Sequence, residues 1–224
     1  PAFDVSAACS GFLYALSVAS QYLRTGAARH ALVVGAEVLS RALDFTDRNS
    51  CILFGDGAGA VVLSATPVMN VGVRNIRLYA DGSRQELIQV PGKVTPNPAP
   101  GAPLQSPLQY VRIVGREVFR FAVTRMIELI QQAEADCREL GLASIDVLIP
   151  HQVNGRIIDA ALETTGFPAD KVMVNLDKYG NTSAASVPIA LDEALKTGRC
   201  KRGDNVLLVA FGGGLTWSSA LITL

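Results

Sequence analysis

The chain has 224 residues, 49% of them hydrophobic and 18% charged, which is enough apolar material for a large core and excludes a disordered chain. Its 20 basic residues balance 20 acidic ones, so global charge argues against nucleic acid or a membrane surface as partner, and no apolar run reaches membrane-spanning length. Four scattered cysteines (Cys9, Cys51, Cys137, Cys200) form no CxxC pair, so neither a metal site nor a disulfide framework is suggested, and a reducing, cytoplasmic setting is expected.

In chain order, the sequence opens at Pro1 shortly before an apparent strand, with no signal peptide, as though cut from something longer. Ser10 to Thr25 reads as a helix closed by Gly26, and its FLYALSVASQYL is apolar nearly all round, which predicts burial between layers. ALVVGAE (Ala31 to Glu37) is a short β-rich run of the kind buried on both faces of a sheet. GDGAGAVVLSA reads as a glycine-rich turn and a strand, and Val71 to Val90 as further strand segments. The proline-rich stretch from Pro91 to Pro107 is a surface loop, and Glu117 to Leu140 is a long amphipathic helix stopped at Gly141. Strand DVLIP, helix Arg156 to Thr165, strand VMVNL, helix Ser183 to Lys196 and two closing strands complete an α/β pattern.

Three places carry chemistry. Cys9 sits where an apolar run turns into the first helix. Free cysteine is often simply buried, but a thiol at a helix start also feels the positive end of the macrodipole, which favours the nucleophilic thiolate; both readings stand on this stretch alone. His151 directly follows the apolar VLI, at the carboxyl end of a strand, where α/β sheets gather ligands. The second histidine, His30, lies in an ordinary polar connection. Asn181 heads the last helix in GNTSAAS. Cys9 and Asn181 each precede a Thr-Gly pair by sixteen residues (Thr25-Gly26 and Thr197-Gly198), and each helix is followed by a strand, a glycine-rich turn and another strand. Two similar halves related by pseudo-symmetry would bring Cys9 and Asn181 together. GDGAG (Gly55 to Gly59) precedes a strand rather than a helix and is read as structural, not as a phosphate loop.

The segments AACSGF, CILFGDGAGAVVLS, PHQVNGRI, LDKYGNTSAASVPIALDEAL and AFGGGLTWSSAL, in this order and spacing, closely resemble β-ketoacyl-acyl carrier protein synthase III, a condensing enzyme of the thiolase superfamily. The resemblance runs from Phe3 to Leu224 and covers about the last two-thirds of the family's chain, so the opening strands and helices of the first half are expected to be missing. It implies a layered αβαβα fold of two pseudo-duplicated halves, with residues 1–90 as the remainder of the first and 91–224 as the second.

Functionally, the resemblance implies an acyltransferase that condenses an acyl-CoA, with acetyl-CoA as the expected starter, with malonyl-acyl carrier protein to begin fatty acid synthesis. Cys9 would be the nucleophile, His151 and Asn181 the donors to the enolate, and the N–H groups of Cys9 and Gly213 the oxyanion hole. Arg48, Phe54, Phe119 and Arg156 match substrate-binding positions. Two departures stand out: Arg116 replaces a common asparagine, and Glu163 and Thr164 replace lysines found in some relatives. No metal or organic cofactor is implied, coenzyme A entering as part of the substrate, and a homodimer is. The rival expectations are a secondary-metabolic homologue acting on another acceptor and a non-catalytic fragment.

Overall fold

The computed structural model describes residues 1–90 and 110–224; the loop expected from Pro91 to Pro107, and with it the division between residues 90 and 91, falls on or beside residues outside those described. Residues 1–7 form no strand, contrary to the expectation for the opening segment; they pair with no strand among the described residues and are mostly exposed. A three-residue 3-10 turn (Ala8–Ser10) leads into α1 (Gly11–Arg24). Then come β1 (His30–Glu37), β2 (Gly57–Ser64), β3 (Gly72–Ala80) and the short β4 (Ile88–Gln89). Beyond the undescribed segment follow β5 (Arg112–Ile113), α2 (Gly115–Glu139), β6 (Val147–Pro150), α3 (Gly155–Thr165) and the single-turn α4 (Leu176–Tyr179). A second 3-10 turn (Ser183–Ala185), α5 (Ser186–Lys196), β7 (Asn205–Gly212) and β8 (Thr216–Thr223) close the chain.

Strands β1 and β2 pair antiparallel, from His30 opposite Ser64 to Glu37 opposite Gly57. A four-stranded sheet has the order β3-β8-β7-β6, in which only the β6–β7 pair is parallel. The period-two alternation of a strand explains why NVLLVAFG reads as one continuous apolar run. Val206 and Leu208 face a core with Phe12, Leu13 and Leu16 of α1 and Val187, Ala190 and Leu191 of α5. Leu207 and Val209 face the opposite core, with Ala122, Met126 and Leu129 of α2 and Ile157, Ile158 and Ala161 of α3. Val33 of β1 joins the first core, with Val61 and Leu63 of β2 packed on it, so α1 and α5 lie between two sheets. The layers therefore run sheet, helices, sheet, helices, four of the five in the expected αβαβα order.

Two expectations about single segments need correcting. ALVVGAE is buried on one face only: Val33 is 3% exposed, whereas Leu32 and Val34 are 67% and 50% exposed, because their face of β1 points away from α1 and α5 and no described residue covers it. VMVNL is not a strand. It makes one isolated bridge, Leu148 with Val172, and side chains take the places a ladder would use. Arg199 donates to the Val172 carbonyl at 2.9 Å, Gln152 Nε2 donates to the Met173 carbonyl at 3.2 Å, and the Asn175 N–H donates to Gln152 Oε1 at 2.9 Å.

The central strand should carry the stability. Replacing Leu208, 1% exposed between α1 and α5, with alanine is expected to cost about 2–5 kcal/mol in chemical denaturation, while Leu140→Ala at the 41% exposed end of α2 stays within about 0.5 kcal/mol.

Candidate active site

The turn that presents Cys9 is held from below. Ala8 has φ 47°, a left-handed conformation unusual for alanine, and the Ser10 N–H closes the turn on the Ala7 carbonyl at 3.1 Å. Thr216 Oγ1 donates to the same carbonyl at 3.0 Å, tying the turn to β8. The end of β7 comes so close that a Cβ on Gly212 would lie 2.8 Å from both the Cβ and the N of Cys9, so only glycine fits there. Gly213 follows in the same connection, its missing Cβ 3.6 Å from that of Ala8.

His151 extends β6 by one residue, and its N–H donates to the Val209 carbonyl at 2.7 Å, continuing the parallel ladder. The carboxyl ends of β6 and β7 thus place His151 and Cys9 on the same edge of the sheet. The imidazole is 1% exposed, packs edge-on against Phe211 at 5.7 Å, and has Nδ1 2.6 Å from Ser186 Oγ, while Nε2 is buried with no partner among the described residues. Burial pushes its pKa down to about 3, so the ring is neutral across the ordinary pH range.

Asn181 is fixed through its backbone. Its N–H donates to the Leu53 carbonyl at 2.8 Å and its carbonyl accepts from the Gly55 N–H at 3.0 Å, a bridge centred on Phe54. A Cβ on Gly55 would sit 2.1 Å from the Tyr179 carbonyl oxygen, which explains the first glycine of GDGAG in structural terms, as the sequence reading had it. The Asn181 side chain, 4% exposed, accepts the Ser183 N–H on Oδ1 at 2.9 Å, which turns its NH₂ to the other side as a donor.

The stretch from Asn181 to Ser186 unites the three residues: Ser183 hydrogen-bonds the Cys9 thiol and Ser186 bonds His151. The internal echo is real but shifted. Ala8 (φ 47°) corresponds to Ser183 (φ 49°), each opening a 3-10 turn ahead of a helix, and Gly26 and Gly198 both have φ 74° beyond the helix ends. Because α5 has 11 residues against 14 in α1, the counterpart of Cys9 is Ala184, and Asn181 lies three residues earlier.

Of the two readings of Cys9, the thiolate favoured by a helix start does not hold and the buried thiol does: its pKa is raised to about 11. Although Cys9 keeps part of its surface, desolvation dominates; the Ser183 hydrogen bond lowers the value in part, and the charge of Glu37 raises it. Glu37, at the end of β1, also accepts the Ala184 N–H at 3.4 Å. The resting site holds a thiol.

The remaining residues are placed as follows. Phe54 is half-buried beside Asn181, and Phe119 of α2 is packed on the second core. Arg48 is exposed in the polar connection after β1, and Arg156 is exposed in the first turn of α3, where its N–H is capped by Asn154 Oδ1 at 3.0 Å. Arg116, Glu163 and Thr164 are exposed. His30 opens β1, exposed, with Nδ1 2.9 Å from Ser64 Oγ, and takes no part in the site. Sequence reasoning missed Ser183, Ser186, Gln152 and Glu37, whose only signal was proximity to GNTSAAS, PHQ and a strand end.

Two pH measurements follow. Alkylation of Cys9 by iodoacetamide should accelerate steadily with pH towards about 11, and a plateau near neutrality would contradict the buried thiol. His151 protonates near 6.5 when unfolded and only at about 3 when folded, so its contribution is intact above 6.5 and stability falls as pH drops towards 3. In urea denaturation across that window, His151→Gln should remove up to about 1.4 kcal/mol per pH unit from the acid-side slope.

Residues 3–82 match the family described as 3-oxoacyl-[acyl-carrier-protein (ACP)] synthase III, and residues 136–224 match its C-terminal family. The chain is 52% identical over 99% of its length to the β-ketoacyl-[acyl-carrier-protein] synthase III of Sphingopyxis alaskensis, of which it spans 66%. It superposes on the crystal structure of 3-oxoacyl-[acyl-carrier-protein] synthase III from Aquifex aeolicus with a TM-score of 0.87 at 45% identity, covering 99% of this chain and 67% of that one. It is also similar to the priming β-ketosynthase of the R1128 polyketide pathway, with a TM-score of 0.83 and 34% identity over 99% of this chain and 65% of the other. The chain spans about two thirds of the length of these relatives, and on sequence and fold alike it belongs to the β-ketoacyl-[acyl-carrier-protein] synthase III family of thiolase-like condensing enzymes.

Proposed function

We propose that the full-length protein transfers the acyl group of an acyl-CoA, with acetyl-CoA as the starter, to Cys9 and condenses it with malonyl-acyl carrier protein, initiating fatty acid synthesis. The observation that carries this reading is the single stretch Asn181–Ser186, which sets an amide donor beside a thiol and a buried neutral imidazole.

In the first half-reaction the Cys9 sulfur, once deprotonated, attacks the thioester carbonyl; the carbon–sulfur bond to coenzyme A breaks, and the departing thiolate takes up a proton. The oxyanion of that step is held by the N–H groups of Cys9 and Gly213, the residues at which the helix turn and the end of β7 converge. In the second, malonyl-acyl carrier protein loses carbon dioxide, and the electron pair of the broken bond passes into an enolate. His151 Nε2–H and the Asn181 NH₂ donate to its oxygen. The enolate carbon then attacks the acyl carbonyl, the bond to the Cys9 sulfur breaks with its electron pair returning to sulfur, which takes up a proton, and 3-oxoacyl-acyl carrier protein leaves. A histidine with its pKa near 3 suits this role, because it donates a hydrogen bond without surrendering a proton. The exchange of one thioester for another needs no metal or organic cofactor.

Arg48 and Arg156, both exposed, would meet the anionic groups of coenzyme A and of the carrier protein, and Phe54 and Phe119 would border the path of the pantetheine arm. A cytoplasmic homodimer completes the proposal. The similarity to a polyketide priming synthase favours one second reading, a secondary-metabolic enzyme that delivers its acyl group to another acceptor.

The half-reactions separate the roles. Cys9→Ser should abolish acyl loading, read by mass spectrometry after incubation with acetyl-CoA, since a serine hydroxyl is far less acidic. His151→Ala and Asn181→Ala should still load while condensation falls about 100- to 1,000-fold each. A stable acyl group on Cys9→Ala, or a folded Asn181→Ala that does not load, would overturn the assignment. Absence of a 3-oxoacyl product from acetyl-CoA and malonyl-acyl carrier protein would transfer the case to the second reading.

A further inference from the structure

A donor role for His151 requires its proton on Nε2, and a neutral imidazole carries that proton on only one nitrogen. The hydrogen-bond accounting around Ser186 decides which. Ser186 Oγ lies 2.6 Å from His151 Nδ1 and 3.4 Å from the Gln152 backbone nitrogen, whose N–H can only donate. Serine and imidazole are both enclosed, at 2% and 1% exposure.

With the proton on Nδ1, Ser186 Oγ would accept from two N–H groups, and among the described residues its own hydrogen would have no acceptor in a buried place. With Nδ1 unprotonated, Ser186 accepts from Gln152 and donates to Nδ1, so the Gln152 N–H, the Ser186 hydroxyl and Nδ1 are all satisfied. The proton then stands on Nε2, the buried atom with no partner among the described residues, free for a ligand oxygen. We propose that Ser186 is a positioning residue that fixes the proton of His151 on Nε2 by donating its hydroxyl hydrogen to Nδ1.

The backbone supports this arrangement. Ser186 is the first residue of α5, directly after the turn that opens at Ser183, so the helix start that anchors the Asn181 loop also holds the serine against the ring. Gln152, 1% exposed, is itself locked by Nε2 bonds to the Pro150 and Met173 carbonyls at 2.8 and 3.2 Å, which keeps its N–H aimed at Ser186. Serine, histidine and glutamine thus form a relay with one allowed set of proton positions.

The inference rests on the donor role assigned to His151, and the test separates the two. In full-length protein labelled with ¹⁵N-histidine, the His151 ring nitrogens, assigned by their loss in His151→Gln, should show the Nε2–H tautomer. Ser186→Ala should weaken that signature and slow condensation about 10- to 100-fold while Cys9 still loads, and Ser186→Thr, which keeps the hydroxyl, should recover both. A wild-type spectrum with the proton on Nδ1, or a Ser186→Ala protein with unchanged tautomer and condensation rate, overturns the proposal. Should the wild-type protein load but not condense, the donor role fails, and the wild-type spectrum alone still decides where Ser186 places the proton.

Discussion

The contact between the Asn181 loop and the two sheets constrains all that surrounds it. Backbone hydrogen bonds tie Asn181 to Leu53 and Gly55 ahead of β2, and the missing side chain of Gly55 lets the Tyr179 carbonyl approach to a distance no other residue would tolerate. From that anchor, Ser183 reaches the Cys9 thiol and Ser186 the His151 ring. Because these contacts are made by backbone and short side chains, the geometry leaves little rotamer freedom to be lost when a substrate arrives.

Burial sets the chemistry in opposite directions at two residues a short way apart. Desolvation disfavours whichever form carries charge, so it raises the thiol and lowers the imidazole, leaving both neutral at rest. A thiolate–imidazolium pair would be the alternative, and it is the arrangement of a hydrolytic cysteine site, where the histidine must take and return a proton. Here both groups are neutral at rest instead. On the proposed function, a neutral imidazole suits a hydrogen-bond donor to a developing enolate, because decarboxylation supplies the carbanion with little acid–base demand.

How much of this was visible in the sequence depended on where each property resides. Cys9, His151 and Asn181 were legible as candidates because thiol, imidazole and amide are chemically distinctive and their flanking runs, VLI before the histidine and a helix after the cysteine, place them at element ends. The long helix and the closing strands were legible from periodicity. The direction of the Cys9 shift was not, since the helix start is local and the desolvation that outweighs it comes from packing across both halves. VMVNL misled for a related reason: its composition is strand-like, but Arg199 and Gln152 claim its carbonyls. Ser186 was hidden because one serine among several in GNTSAAS has no local feature that tells it apart.

The site also concentrates features that work against stability. Ala8 and Ser183 hold left-handed backbone conformations without being glycine, each costing on the order of 1–3 kcal/mol, and His151 Nε2, Ser10 Oγ and Thr182 Oγ1 are buried without partners among the described residues. The two strained residues occupy equivalent places, each opening a 3-10 turn ahead of a helix, and what each turn presents differs. In the first half the turn lifts a thiol, and in the second it frees the Asn181 amide and aims a serine at a ring. The sheet beneath, with Leu207 and Leu208 of one strand buried in opposite cores, supplies the rigidity that keeps both turns strained. A chain that relaxed either turn would gain local stability and lose the placement of Cys9, His151 and Asn181, so such a conformation persists only above a core packed on both faces.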